Sequence, residues 1–438
     1  MKKNIALILF LVLLISEMLG LRPTFSLGFS AKNLFLYASL LLIMVHHAVA
    51  GREIHSESIK FVHVTFVLLI IYAFFSWQLT DVRLPLAEYQ DKVSRLAALK
   101  GFLIDHYFFF LVFYYCVSTV DEGISLAKSL LILTFITTII TVIDVYNIPD
   151  LGIIKQMENV SAENVGRVQG PLGEPNQYAA FLVLFLPVYI ALAISNQGVS
   201  WVKRFFYYGA GLSTFAVLLL TGSRGGIVGL ILGLVLGCLL LKKIVDIKQV
   251  ISASAKFIIA GALVIAVILI RHSELILGRL ATVSKSTDAV TVSSGRLWIW
   301  EQGLKVMMEH PKSFFVGMGW ATFPGYVGIV SHNTFLNVLF DLGIVGLVPY
   351  LLLIWWIVSR LKRSVLDTSG QVQLLLGGSI FGYLAMLCAL FFVNLFTPWY
   401  FVWAYVGVIL RVAMLRQEEL LSEKNEKPTR IAPSQLMF

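Results

Sequence analysis

The chain has 438 residues and a formal net charge of +9 at pH 7, with 58% hydrophobic residues and only 13% charged ones. Ordinary soluble domains carry about 25% charge, so this composition excludes a water-solvated globular fold and leaves lipid as the solvent for much of the surface. The excess positive charge does not point to nucleic acid, because the basic residues fall in short connections between apolar runs, where membrane orientation accounts for them.

A helix needs about 20 apolar residues to cross a bilayer. Such runs recur at 4–20, 33–50, 60–79, 101–120, 125–147, 177–195, 204–221, 225–241, 250–270, 333–358, 373–395 and 396–414. The expected fold is all-α: a polytopic integral membrane protein of about twelve transmembrane helices over residues 1–414, followed by a charged, disordered cytoplasmic tail at 415–438. The start has the outline of a signal peptide. Its apolar run is long, however, and Glu17-Met18-Leu19-Gly20 has no small-x-small cleavage site, so a retained first span is expected.

Lys and Arg set the orientation. With Lys2 and Lys3 inside, alternation also puts Lys203-Arg204, Lys242-Lys243 with Lys248, Arg360 with Lys362-Arg363, and Arg411 with Arg416 inside. Both termini are then cytoplasmic. The exception is the basic 80–100 segment, expected outside, where Leu84, Leu86, Val93, Leu96 and Leu99 form part of a helical stripe and suggest an interfacial helix. The outer side also receives residues 148–176, the turn at 221–226 and a long loop at 271–332, whose aromatic, glycine-punctuated second half should be folded.

Four outer segments carry groups suited to chemistry. Arg167 through Gln177 places helix-breaking glycines and prolines before a helix entered at the polar Asn176, a shaped loop or a capping turn. Thr221-Gly222-Ser223-Arg224-Gly225-Gly226 offers backbone N–H groups and a guanidinium near a helix start, either an anion cradle or a turn whose arginine meets headgroups. Gly225, Gly229, Gly233 and Gly237 then follow at intervals of four, a stripe that lets another helix approach closely.

In Gly295-Arg296-Leu297-Trp298-Ile299-Trp300, residues Arg296, Ile299 and Trp300 share a helix face. The tryptophans read as interface anchors or as sugar platforms. In Ser331-His332-Asn333, running on to Asn337 and Asp341, the three polar residues at 333, 337 and 341 stack on one face and must turn away from lipid. Neutral imidazole at His332 is the best general base on offer; the alternative is a headgroup contact.

Orientation puts Arg167, Arg224, Arg296 and His332 on one side. Several cations with one base suit transfer away from a pyrophosphate leaving group. No CxxC, HExxH or DxD pattern is present, and Cys116, Cys238 and Cys388 lie in separate apolar runs, so no metal and no cofactor is expected.

The set formed by Gly170-Pro171 through Asn176, Ser223-Arg224-Gly225-Gly226, Gly295-Arg296 with Trp298, His310-Pro311 with Gly317 and Gly319, and His332-Asn333 leading to Gly343-Ile344-Val345-Gly346 resembles the O-antigen ligase and polymerase superfamily over roughly residues 160–350. The resemblance implies a metal-independent glycosyltransferase at the periplasmic face of the bacterial inner membrane. Its donor would be an undecaprenyl-pyrophosphate-linked glycan and its acceptor lipid A–core. In a polymerase the acceptor would be a second lipid-linked glycan.

It implies Arg224 and Arg296 as the pyrophosphate grip and His332 as the base, with Arg167, Asn176, Ser223, Trp298 and Asn333 binding substrate. Membrane lipids are expected as further partners, and nucleic acid is not. A reading from another class, a polysaccharide or lipid transporter, would use Glu17, Asp105, Asp144 and Asp341 as mid-depth charges.

Overall fold

The computed structural model describes residues 2–18, 24–25, 29–49, 59–79, 92–145, 167–170, 174–194, 200–242, 259–263, 266–267, 270, 295–394 and 398–426. It is an all-α bundle. Helices α1 (Lys2–Met18), α2 (Ala31–Val49) and α3 (Lys60–Leu79) are followed by α4 (Lys92–Leu99), which a π turn at Lys100–Ile104 joins to α5 (Asp105–Tyr115). Then come α6 (Val120–Val145), α7 (Pro175–Ile194), α8 (Trp201–Leu220) and α9 (Arg224–Leu240). After them lie the short helices α10 (Arg296–Glu309), α11 (Ser313–Val316) and α12 (Phe323–Val327), and the long α13 (Thr334–Asp367), α14 (Gly370–Ala389) and α15 (Pro398–Glu426). The only pairing of strands among the described residues is a two-residue antiparallel bridge, Thr24–Phe25 with Phe29–Ser30.

Among the described residues, six helices are long and apolar enough to cross a membrane by length and composition alone, at Lys32–Val49, Arg95–Tyr115, Val120–Ile143, Pro175–Ile194, Thr334–Asp367 and Gly370–Ala389. Each of the apolar runs read from the sequence has a helix on it except 250–270, most of which lies outside the described residues, as do 80–91, 148–166, 271–294 and 427–438. The second half of the long loop is folded, as its composition implied. The last helix differs from expectation: α15 continues through Glu426. Its final turns are held by ion pairs from Arg416 to Glu419 (2.9 Å) and Glu423 (3.5 Å), charges that solvate a helix face as readily as a coil.

The glycine stripe has the role its spacing implies. A Cβ at Gly233 would lie 2.2 Å from the Cα of Ala385, at Gly229 2.7 Å from the backbone N of Ala389, at Gly225 2.5 Å from Phe392, and at Gly237 2.3 Å from Phe381. The α9 backbone therefore lies directly on α14, antiparallel. Gly225, at the start of α9, meets the segment just after the end of α14. In lipid, where apolar side chains gain nothing by leaving an apolar solvent, such contact supplies the packing energy.

The α13 helix is broken at Gly343, whose φ of 61° and ψ of −167° lie outside the range of other residues. The backbone of 315–319 crosses there, so a Cβ on Gly343 would lie 2.3 Å from the carbonyl oxygen of Phe315, and one on Gly317 2.2 Å from that of Asp341. The carbonyls freed by the break are satisfied by the crossing strand: Met318 N donates to Phe340 O at 2.7 Å and Gly319 N to Asp341 O at 3.0 Å. A single crossing thus docks the folded half of the loop on the bundle. Tyr72 Oη to Val316 O (2.8 Å) and Trp320 N to Ser76 Oγ (2.9 Å) add the contact with α3.

The two ends of the bundle differ in chemistry. One gathers the starts of α7, α9 and α13 with the ends of α8 and α14. The other gathers basic residues that bond to helix ends and connections: Lys2 Nζ to Ser118 Oγ (2.8 Å), Arg204 Nε to Ala193 O (3.1 Å) and Arg411 Nε to Val117 O (3.4 Å).

Gly233→Val should lower the thermal unfolding midpoint of detergent-solubilised protein, at a cost of roughly 1–3 kcal/mol or more because backbone must move. Gly209→Ala, where a Cβ meets nothing within 4 Å, should be neutral or stabilising by up to about 1 kcal/mol.

Candidate functional site

The first end of the bundle is assembled by side chains that satisfy broken backbone. Between α8 and α9 the chain reverses at Thr221-Gly222-Ser223, with Gly222 at φ 58°. Ser223 caps α9, its Oγ accepting from Gly226 N at 3.2 Å and donating to Asn176 Oδ1 at 3.0 Å. The same Asn176 oxygen accepts from Arg167 Nη2 (3.0 Å), while Arg167 Nε donates to Thr221 O (2.8 Å). Glu174 completes the cluster. Its carboxylate accepts from Asn176 Nδ2 (2.6 Å), Asn176 N (3.0 Å) and Gln177 N (2.7 Å), placing negative charge at the start of α7, where the helix dipole favours it.

Two predicted motifs therefore meet: Arg167 and Asn176 from one and Ser223 from the other converge on the Asn176 oxygen. Arg167 is only 5% exposed and two of its nitrogens are bonded to the fold. Arg224 begins α9 beside this cluster.

The loop brings the rest. Trp300 Nε1 donates to Ser331 O at 2.9 Å, fixing the inner face of α10, on which Ile299 and Met307 are buried, against the turn before α13. Arg296 lies one helical turn before Trp300 on that face, and its charge acts on His332, as does the Glu174 carboxylate. Burial and the Arg296 guanidinium both push the His332 pKa below the ordinary histidine value, and Glu174 opposes them. Thr334 ties the turn to the end of α14 by donating from N to Leu390 O (2.9 Å) and from Oγ1 to Val393 O (2.9 Å). This is the segment whose Phe392 lies against Gly225.

His332 itself adopts φ 49°, a left-handed conformation that costs a non-glycine residue about 1–3 kcal/mol. Ala321, at φ 58°, is the other described non-glycine residue in that region.

Two predicted residues stand elsewhere. Trp298 is 47% exposed, with Leu297 on the outer side of α10, away from the Arg296–Trp300 face. Asn333 caps α13, its Oδ1 accepting from Leu336 N at 3.0 Å, and is nearly buried. Two functional candidates were not singled out from the sequence. Glu174 stood within a quoted motif but reads locally as a helix-start acid. Asn394 lies after α14, where no motif marks it. It bonds to the Ser331 turn 63 residues away. Beside this turn is a cavity of about 200 Å³, apolar on most sides, with Thr334, Asn337, Asp341 and Asn394 as its polar wall.

Helical bundle and apolar spans define a multi-pass membrane protein whose broken helix ends enclose cations and one histidine. Residues 209–351 match the family model described as O-antigen ligase, a segment that carries Ser223, Arg224, Arg296, Trp298, His332 and Asn333. The match covers about a third of the chain and bears out the resemblance read from the motifs. No curated protein matches the chain.

Asn176→Ala deletes the oxygen shared by Arg167 and Ser223. It should lower stability by about 1–3 kcal/mol, because a buried guanidinium and hydroxyl lose an acceptor; thermal unfolding in detergent measures this.

Proposed function

We propose that the chain transfers a glycan from undecaprenyl pyrophosphate to a hydroxyl of lipid A–core, at the periplasmic face of the bacterial inner membrane and without a metal. The orientation follows from the basic residues at the opposite end, which the positive-inside rule assigns to the cytoplasm together with both termini. The observation that carries the reading is His332, left-handed at a broken helix start and under the field of Arg296 and Glu174.

In the reaction the acceptor oxygen bonds to the anomeric carbon while the bond from that carbon to the pyrophosphate oxygen breaks. The acceptor proton passes to the His332 imidazole. Arg224 and Arg296 hold the departing undecaprenyl pyrophosphate and stabilise the charge that grows on it. Arg167, Asn176 and Ser223 shape the floor under Arg224. A transporter would need mobile mid-depth acids. Asp105 instead accepts from Asn33 (2.7 Å), Tyr37 (2.6 Å) and Lys100 (2.9 Å), and Asp341 from three backbone N–H groups and Asn337, which favours the enzyme.

Arg224→Ala, Arg296→Ala and His332→Ala should each reduce transfer by about 10²-fold or more with the protein still in the membrane. The measurement is complementation of a deletion strain, read on lipopolysaccharide gels. Uncapped core with polymer retained on its lipid carrier is the expected result; single repeats on the core would mark a polymerase instead. Wild-type lipopolysaccharide from all three variants would overturn the assignment.

The pH dependence has a definite sign. The neutral imidazole is the base and its pKa is lowered, so transfer should persist as pH falls past about 6.5, the ordinary histidine value, and be lost only through a more acidic limb. A rate profile of purified protein checks this.

A further inference from the structure

A second set of polar side chains surrounds His332 without belonging to the anion cluster. Ser331 Oγ is its centre. It lies within donor distance of Asn333 O (3.0 Å), Asn337 Oδ1 (3.2 Å) and Asn394 Oδ1 (3.1 Å), alternative acceptors of which its one hydrogen serves one at a time. It accepts from Asn394 Nδ2 at 2.9 Å and from Asn333 N at 3.3 Å, so its lone pairs are used as well.

Asn394 Nδ2 also reaches Asn337 Oδ1 at 3.5 Å, and Asn337 Nδ2 donates to Asp341 Oδ2 at 2.9 Å. Asp341 ends the chain of bonds by accepting from the backbone of Ala321 (2.9 Å), Thr322 (3.2 Å) and Phe323 (3.3 Å). Ser331, Asn394 and Asp341 are each at most 7% exposed.

The two described non-glycine residues with left-handed backbone sit at the two ends of this network: His332 lies between Ser331 and Asn333, and Ala321 N donates directly to Asp341. Hydrogen bonds that engage the buried Ser331 hydroxyl from both sides of the turn favour the backbone geometry in which residue 332 is left-handed.

From this geometry we infer that Ser331 and Asn394, backed by Asn337 and Asp341, are positioning residues that hold His332 in the left-handed conformation from which its imidazole meets the acceptor hydroxyl. Neither side chain touches the reacting atoms; they act through the backbone of the residue between 331 and 333. The inference rests on the reading of His332 as the base and deepens it. It assigns a function to the segment after α14, which lies beyond the stretch matched by the ligase family.

The test uses full-length protein in nanodiscs, with undecaprenyl-pyrophosphate-linked O-antigen oligosaccharide as donor and lipid A–core as acceptor. Ser331→Ala and Asn394→Ala are compared with wild type and with His332→Ala. Both variants should lose at least about tenfold in kcat, with KM for the donor within about twofold, since the anion cluster at Arg224 and Asn176 is untouched. The acid limb of the rate profile should also move up toward the ordinary histidine value as the imidazole leaves its buried place beside Arg296 and Glu174.

Wild-type kcat and an unmoved acid limb in both variants, alongside an inactive His332→Ala, would overturn this inference and leave the proposed function standing. Full activity of His332→Ala would remove the proposed base and this inference with it. Ser331→Ala changes little volume, so it guards against mere misfolding. Loss of monodisperse protein in both variants, or a fall in kcat/KM carried by KM alone, would assign the network to fold stability and overturn the positioning role.

Discussion

In an apolar solvent every backbone N–H and C=O must find its partner within the protein, at a cost of about several kcal/mol for each that does not. That constraint decides where this chain is allowed to be irregular. Its helices run as continuous ladders through most of their length. At one end polar side chains replace the missing ladder: Ser223 on Gly226, Glu174 on Asn176 and Gln177, Asn333 on Leu336, and Asp341 on residues 321–323. Even the break inside α13 is met by two N–H groups of the crossing loop. A surface on which so many polar groups are already fixed is one that can hold ionic chemistry at the edge of lipid.

The same economy separates the arginines. Arg167 bonds to Thr221 O and to Asn176, so its guanidinium braces the turn from which Arg224 starts. A bracing cation still contributes field, and a low-dielectric surrounding extends its reach. Arg296 arrives on a different element altogether, carried by α10 and locked by the Trp300 bond to Ser331. Arg296 acts on the imidazole of His332 and the Glu174 carboxylate opposes it, while Arg224 starts from a separate element, α9.

Much of this was legible in the sequence wherever the information was periodic. Glycines at 225, 229, 233 and 237 announced a close helix contact because a repeat of four defines a face, and Ala385 and Ala389 occupy it. Asn337 and Asp341 bond to each other as their spacing requires. What escaped was contact between segments far apart in sequence. Asn394 carries no local signature, since its partner is 63 residues away. Trp298 stands off the face of Arg296 and Trp300, as helical periodicity sets it, and is exposed. The charged run after Arg416 looked like solvated coil, whereas pairs at intervals of three and seven let it remain helix.

The backbone of His332 is itself informative. Where this chain needs a left-handed residue it generally uses glycine, as at 170, 222, 295, 317, 319 and 328. Glycine at 332 would remove strain of about 1–3 kcal/mol, and no hydrogen bond to the imidazole is required for the turn to close. A histidine there makes sense only if the side chain is worth more than the strain, and a network whose bonds contribute on the order of 1 kcal/mol each is large enough to offset it. The cost falls on the fold, and the proposed role of His332 as the base would place the benefit in the chemistry.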